Sequence, residues 1–364
     1  MTLKPALSAY LDFMRFIAAF AVLLGHMDQD GLAMAWMPLS WFSHEAVIIF
    51  FVLSGFIIYY STTSRASSWQ QYAVARMSRI YSVALPAVLA CVVLALWLSH
   101  QPGFDPARYS NYSPPAVWDT FSSLLFINES WLNATFVPLN DPYWSLCYEV
   151  WYYVIFGAFL FGGKRRRWWL VGAAALIAGP AILVLLPIWL LGAWLAASGR
   201  YASGWTAGRA WLGFLGPVAL IVLINTTDVD GLIQSYLYEN VSGFWRLDAS
   251  QRFVTDHLIG LALCLHIAAY SSLPAAVQDF FARHQGVFAS LAGFSFTLYL
   301  FHRPMTQLLG AWYPQPVGAI WQTALLALGI LLACWAVSWG TEKQLSHWRC
   351  GFSRVLTPRS GVLS

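Results

Sequence analysis

Long apolar runs separated by short polar segments dominate this chain of 364 residues. A run of about 17–25 apolar residues is long enough to cross a bilayer as a helix, and these runs do not alternate as membrane β-strands do. We therefore predict an all-α integral membrane protein with ten transmembrane helices in one bundle. The predicted spans are 9–28, 44–61, 80–99, 143–162, 168–183, 184–198, 210–226, 255–272, 288–310 and 317–339.

Two stretches between the clear spans need interpretation. Residues 168–198 form one run that Pro180 and Pro187 interrupt, so it is either two short spans or one kinked span. Residues 65–79 are amphipathic and are predicted to lie along the inner membrane surface. A second amphipathic stretch, 117–127, lies in the long loop after the third span.

Composition agrees with a membrane protein. Hydrophobic residues make up 59% of the chain and charged residues 10%, whereas soluble domains average about 25% charged residues. The 20 Trp and 17 Tyr residues can supply interfacial belts. Five scattered cysteines without a CxxC pair are typical of small packing residues, so we expect no disulfide framework, no metal site and no bound cofactor. We expect no nucleic-acid partner, and the lipid bilayer is the predicted surrounding.

The distribution of basic residues predicts the orientation. With ten spans both termini lie on one side, and fifteen of the twenty Lys and Arg residues then face that side, whereas three lie in outer loops. The positive-inside rule makes that side the cytoplasm. Residues 1–340 are predicted to form the membrane domain, and residues 341–364 a short basic cytoplasmic tail.

Ionisable side chains form a stripe in the first predicted span. Arg15 and His26 are eleven residues apart, so they share a helix face and lie about 16 Å apart along the axis. Asp12 lies within about 40° of the same stripe. Such groups inside a membrane indicate a functional site, and His26 is a candidate general base. The alternative is that Arg15 snorkels to the inner surface and His26 lies at the outer boundary.

A carboxylate enters the fourth predicted span. Glu149 lies in the sequence WSLCYEVWYY, at a depth similar to that of His26. A buried carboxylate needs a partner or a proton. His26 is the expected partner, and Glu149 is then expected to orient or charge the imidazole. The alternative is a structural carboxylate that accepts hydrogen bonds from Tyr or Trp.

Two arginines precede the third predicted span. Arg76 and Arg79 share a helix face and can fork onto phosphate groups, and the alternative is plain positive-inside charge. His302 lies near the outer end of the ninth predicted span. Taken alone, this histidine is either part of the site or a structural helix-end residue.

Four ordered sequence pieces together resemble the acyltransferase-3 family of membrane-bound acyltransferases, which O-acylate bacterial cell-surface polysaccharides and related acceptors. The pieces are LDFMRFIAAFAVLLGH (11–26), FFVLSGFIIYY (50–60) with RMSRIY (76–81), WSLCYEVWYY (144–153) and FSFTLYLFHRP (294–304). The resemblance extends over residues 8–340.

The resemblance implies a ten-helix membrane domain and acetyl-coenzyme A as co-substrate. It implies an essential pair at Arg15 and His26, donor-side arginines at Arg76 and Arg79, and the motif carboxylate at Glu149. The motif ends in YY here, where FY is common in the family. Some members carry a further esterase-like domain after the membrane domain. The sequence stops at residue 364, so we expect a stand-alone transferase.

The resulting hypothesis is an O-acetyltransferase of the bacterial cytoplasmic (inner) membrane. It is expected to pass an acetyl group from cytoplasmic acetyl-coenzyme A to a hydroxyl of a cell-surface or lipid-linked polysaccharide, such as O-antigen or an exopolysaccharide. His26 either deprotonates the acceptor or carries the acetyl group as acetyl-histidine. The tetrahedral oxyanion also needs a hydrogen-bond donor. Supporting or acceptor-site candidates are Asp12, Trp144, Ser145, Tyr299 and His302.

A transporter or flippase of a lipid-linked sugar is the alternative function, because it also places ionisable residues inside a helix bundle. No repeat is evident between the two halves of the sequence. A sensor or receptor needs a ligand pocket but no thioester chemistry. Transfer of labelled acetyl groups to a glycan distinguishes the enzyme from both.

Overall fold

The computed structural model describes residues 3–34, 42–65, 68–131, 135–202, 204–312 and 317–357. Within these ranges the chain forms fifteen α-helices and no β-strand, as the long apolar runs predict. The helices are α1 (Pro5–Gln29), α2 (Ser43–Arg65), α3 (Trp69–Ser99), α4 (Val117–Leu124), α5 (Trp144–Phe161), α6 (Gly163–Ala178), α7 (Pro180–Ser198), α8 (Ala207–Thr226), α9 (Val229–Asn240), α10 (Phe253–Tyr270), α11 (Ala275–Arg283), α12 (Gln285–Ala292), α13 (Ser295–Trp312), α14 (Ile320–Ser338) and α15 (Leu345–Leu356).

Eight helical segments among the described residues are long and apolar enough to cross a membrane. They are Pro5–Gln29, Ser43–Ser64, Trp69–Ser99, Asp141–Phe161, Pro180–Ser198, Ala207–Thr226, Phe253–Tyr270 and Ile320–Leu356. The two other predicted spans correspond to α6, which has only 16 residues, and to α13, which carries His302 and Arg303. The prediction of a helical membrane protein is confirmed, with eight such segments where the sequence predicts ten spans.

Glycines set two helix boundaries that differ from the predicted ones. The run 168–198 is two helices, and the break lies at Gly179, not after residue 183. Gly179 has φ +88°, a backbone conformation that favours glycine, and Pro180 then opens α7. The predicted span 288–310 is likewise interrupted, because α12 ends before Gly293 and α13 begins at Ser295.

The prediction of a separate surface segment over residues 65–79 is wrong. Ser68 caps helix α3 by accepting a hydrogen bond from the backbone N–H of Gln71, and the helix then continues unbroken to Ser99. Its 31 residues measure about 46 Å, which exceeds the roughly 30 Å of a hydrocarbon core. Arg76 and Arg79 therefore lie within the first three turns of a long membrane helix.

Close backbone contacts hold α2 against α7. A Cβ atom added at Gly55 would lie 1.9 Å from the carbonyl oxygen of Trp189, and one added at Gly192 would lie 2.0 Å from that of Val52. Two glycines on facing helices thus let the backbones touch, which is the usual role of small residues between membrane helices.

Helix α1 is central and contacts α2, α12 and α13. Its carboxyl end lies directly against α13, because a Cβ atom at Gly310 would lie 2.7 Å from the carbonyl oxygen of Asp30. This contact brings His302 beside His26. The described part of the predicted C-terminal tail is not extended: it forms α15, which packs against α3.

Candidate functional site

Four arginines line a cavity of about 330 Å³ between the helices, which we call the arginine cavity. They are Arg15 of α1, Arg76 and Arg79 of α3, and Arg349 of α15. Asp12 and Glu149 supply the acids of the lining, so four guanidinium groups face two carboxylates. The cavity therefore carries an excess of positive charge, which suits an anionic ligand.

The arginines of this cavity differ in how far the protein neutralises them. Arg79 pairs with the buried Glu342, with 2.6 Å between Nη1 and Oε1. Arg15 lies 3.9 Å from Asp12. Among the described residues, neither Arg76 nor Arg349 has a carboxylate within 4 Å. The donor groups of these two side chains are therefore the ones available to an anion.

Glu149 lines the arginine cavity and accepts a hydrogen bond of 2.5 Å from the hydroxyl of Tyr153. The expected contact between Glu149 and His26 is not what the structure contains, because His26 contacts His302 and Asp141. The reason is the start of α5 at Trp144, which places Glu149 more than a turn inside that helix. Asp141, in the preceding 3₁₀ turn Asp141–Tyr143, is the acid at the level of His26.

Two hydroxyl groups meet at one end of the arginine cavity. The Ser145 Oγ lies 2.7 Å from the Tyr299 hydroxyl, and Tyr299 donates a hydrogen bond of 3.1 Å to the carbonyl oxygen of Pro142. The Tyr299 ring is 6.3 Å from the His302 ring, measured between centroids. Tyr299 thus lines the cavity and also lies near the His302 ring. Trp144 instead packs its ring edge-to-face against Phe51 and Tyr148.

The two histidines have defined tautomers, because carbonyl oxygens can only accept hydrogen bonds. His302 Nδ1 lies 2.9 Å from the Leu298 carbonyl oxygen, so Nδ1 carries the proton and Nε2 accepts. His302 Nε2 lies 3.0 Å from His26 Nδ1, which is also 3.0 Å from the Val22 carbonyl oxygen. Nδ1 of His26 therefore carries its proton, and the free lone pair of the neutral ring is on Nε2.

One carboxylate, that of Asp141, lies near this free nitrogen. We call the assembly of His26, His302, Arg303, Asp30 and Asp141 the histidine cluster. Asp141 Oδ2 lies 3.8 Å from His26 Nε2. The buried Arg303 donates from Nε to Asp141 Oδ1 and from Nη1 to Asp30 Oδ2, both at 2.5 Å. The ion pair with Arg303 holds Asp141, so its second oxygen, Oδ2, stays beside His26 Nε2. The arrangement favours a histidine that accepts a proton during a reaction.

Sequence reasoning missed several of these residues as members of the site. Asp141 precedes the WSLCYEVWYY motif, and Arg303 is a second ionisable group inside an apolar run, so both carried a signal. No sequence signal marked Asp30, Glu342 or Arg349. These residues belong to the site only because α13 packs against α1 and α15 packs against α3.

Comparison with known proteins identifies the family. The family model described as an acyltransferase domain matches residues 8–339. Acyltransferase MdmB of Streptomyces mycarofaciens is 26% identical over 254 residues, which cover 65% of this chain and 58% of that protein, so the match spans less than two-thirds of the relative. No solved structure matches. Because the family match extends over nearly the whole sequence, the chain belongs to the acyltransferase-3 family.

Proposed function

We propose that this protein transfers an acetyl group from acetyl-coenzyme A to a hydroxyl of a cell-surface or lipid-linked polysaccharide. The observation that carries the proposal is the free Nε2 of His26, which faces Asp141 beyond the end of a cation-lined cavity. A thioester donor with phosphate groups matches the arginines, and a hydroxyl acceptor needs a base. Family membership supports acyl transfer as the reaction class.

In this proposal His26 takes the proton of the acceptor hydroxyl at Nε2. The acceptor oxygen attacks the thioester carbon, and collapse of the tetrahedral intermediate breaks the carbon–sulfur bond. The proton on Nε2 then passes to the departing thiolate, so the ring ends as it began. Asp141 stabilises the imidazolium between these two steps, and His302 Nε2 holds the ring by accepting a hydrogen bond from the Nδ1–H group of His26.

Stabilisation of the oxyanion falls to the hydroxyl pair in this scheme. Ser145 and Tyr299 come from α5 and α13, and they meet where the arginine cavity approaches the histidine cluster. Rotation of either hydroxyl directs its proton to the thioester oxygen, and preformed donors of this kind are a large source of rate enhancement. Glu149, held by Tyr153, balances positive charge along the donor arm.

The proposal includes the membrane orientation. α6 and α13 then complete ten spans, both termini face the cytoplasm, and the arginine cavity opens toward the cytoplasmic acetyl-coenzyme A of a bacterium. His26 lies about 16 Å further along α1 than Arg15, toward the outer surface where the acceptor sugar is. This orientation supports a reaction that joins the two sides of the cytoplasmic membrane.

The test is transfer of radiolabelled acetyl groups from acetyl-coenzyme A to a glycan by the purified protein. We expect label in the glycan with the unaltered protein, and a loss of at least about 100-fold with His26→Ala, since a general base contributes about 10²–10⁴-fold. Membrane insertion and the thermal unfolding profile serve as folding controls. Normal labelling by His26→Ala, or no labelling by the unaltered protein on glycans from a deletion strain, would falsify the proposal.

A further inference from the structure

A second cavity, of about 360 Å³, adjoins the arginine cavity at the amino end of α3. We call it the hydroxyl-lined cavity. The end of α2, the first two turns of α3 and the helix α15 build it. Its lining is Ser61, Thr62, Gln71, Tyr72, Val74, Ala75, Arg76, Arg349, Ser353 and Thr357. It shares Arg76 and Arg349 with the arginine cavity, so one ligand can extend from one to the other past these two cations.

The shared arginines have unused hydrogen-bonding capacity. The Nε of Arg76 is buried without a hydrogen-bond partner, and its guanidinium lies 5.9 Å from the ring centroids of both Tyr72 and Tyr153. The rings restrain the guanidinium plane, while its N–H groups stay available. Arg349 has no carboxylate within 4 Å in the described structure. Two such arginines at the junction of two cavities suit a ligand with phosphate groups in its middle.

The hydroxyl groups of the second cavity indicate what lies beyond the phosphates. Ser61, Ser353 and Thr357 each donate their proton to a backbone carbonyl of their own helix segment. Their oxygens therefore offer lone pairs to a ligand. Phosphate oxygens only accept hydrogen bonds and gain little from such a surface, whereas ribose hydroxyls and the amino group of adenine can donate to it.

We propose that the hydroxyl-lined cavity binds the phosphorylated nucleoside end of an acyl-coenzyme A donor, with Arg76 and Arg349 on its phosphates. The pantetheine arm then runs through the arginine cavity toward Ser145 and Tyr299. This inference rests on the proposed function, because it specifies the donor of that reaction. It assigns a binding role to α15, which lies outside the family match over residues 8–339.

The kinetic test compares two arginines of the same helix on two donors. Arg349→Ala is expected to raise the KM for acetyl-coenzyme A about 10-fold or more, as loss of a charge-assisted contact does. The KM for acetyl-pantetheine, which lacks the nucleotide, should not change. Arg354→Ala removes an exposed charge from α15 and is the matched control. Equal effects of the two variants, or an equal rise in KM for both donors, would overturn the assignment.

A binding measurement separates this inference from the proposed function. Calorimetry with adenosine 3′,5′-bisphosphate needs no acceptor, and we expect the unaltered protein to bind it and Arg349→Ala to bind it about 10-fold more weakly. Absence of binding, or equal displacement by inorganic phosphate or phosphatidylglycerol micelles, rejects a nucleotide site. A third outcome is that the protein binds the nucleotide in a way that needs Arg349 but transfers no acetyl group to any glycan. That result supports the nucleotide site and rejects the proposed function.

Discussion

The arginine cavity and the histidine cluster both contain guanidinium groups, but they differ in burial and in how far carboxylates neutralise the positive charge. In the cluster, Arg303 is almost fully buried, and two carboxylates and two hydroxyls accept its hydrogen bonds. In the cavity, Arg76 and Arg349 have no carboxylate within 4 Å among the described residues. A cation that the protein satisfies holds helices together, whereas one left unsatisfied is available to a ligand.

The largest expected effect separates these two kinds of arginine. Arg303→Ala leaves Asp30 and Asp141 facing each other without a cation, and breaking a buried ion pair costs about 3–5 kcal/mol. Thermal unfolding of the purified protein in detergent should show this loss. Arg209→Ala, at an exposed position of α8, is the control and should unfold like the unaltered protein. If Arg303→Ala also unfolds like the unaltered protein, Arg303 is not the structural cation described above.

The next effect concerns chemistry inside the histidine cluster. His302→Leu removes the acceptor that holds Nδ1 of His26, and the rate constant kcat should fall about 10- to 100-fold, the usual cost of losing an orienting partner. His302→Gln keeps an acceptor oxygen and should recover part of the loss. The KM for acetyl-coenzyme A should stay constant in both variants. Equal rates for the Leu and Gln variants would show that the hydrogen bond does not orient the base.

Within the arginine cavity, alanine substitution should affect stability at Arg79 and donor binding at Arg76. Arg79→Ala leaves the buried Glu342 without its cation and should lower the free energy of unfolding by about 1–3 kcal/mol. Arg76→Ala leaves no carboxylate without its cation, so its free energy of unfolding should stay within about 0.5 kcal/mol of that of the unaltered protein. Its KM for acetyl-coenzyme A should rise instead. Thermal unfolding and donor titration check both variants, and a reversed pattern would contradict the assignment of Arg76 to the ligand.

The last prediction concerns a carboxyl group in a loop outside the spans. Burial, and secondly the nearby Asp248, raise the pKa of Glu129 to about 8 in the folded protein. The folded state therefore holds this proton more tightly than the unfolded chain, in which a Glu titrates near pH 4.3, and stability should decline as pH rises from about 4.3 to 8. Unfolding temperatures measured at pH 6 and pH 8.5 should differ by more for the unaltered protein than for Glu129→Gln. Parallel profiles would mean that Glu129 titrates normally.

The sequence predicted the features of the fold and of the site that depend on the local pattern of apolar and polar residues. The all-α class follows from the length of the apolar runs. Arg15 and His26 share a helix face because α1 is unbroken from Pro5 to Gln29. Ser145 and Tyr299 were candidates for the site, and the structure brings their hydroxyls together. The roles of these residues stay predictions.

The sequence did not predict site contacts that depend on where a helix ends or on helices that are distant in sequence and pack together. The 3₁₀ turn before α5 shifts the partner of His26 from Glu149 to Asp141, and a span boundary read from hydropathy cannot resolve that shift. The continuity of α3 places Arg76 in a long helix instead of a surface segment. Arg349 reaches the cavity only because α15 folds back onto α3, a tertiary contact without a local signal.

The glycine contacts between α2 and α7 have a consequence for genetics. A side chain at Gly55 or Gly192 forces the backbones of α2 and α7 apart, although neither glycine belongs to the arginine cavity or to the histidine cluster. We therefore expect a random screen for loss of the proposed acetyl transfer to recover these positions alongside His26. The amount of protein in the membrane should distinguish the two groups of variants. We expect the glycine variants to be depleted and the His26 variants to be present at normal levels.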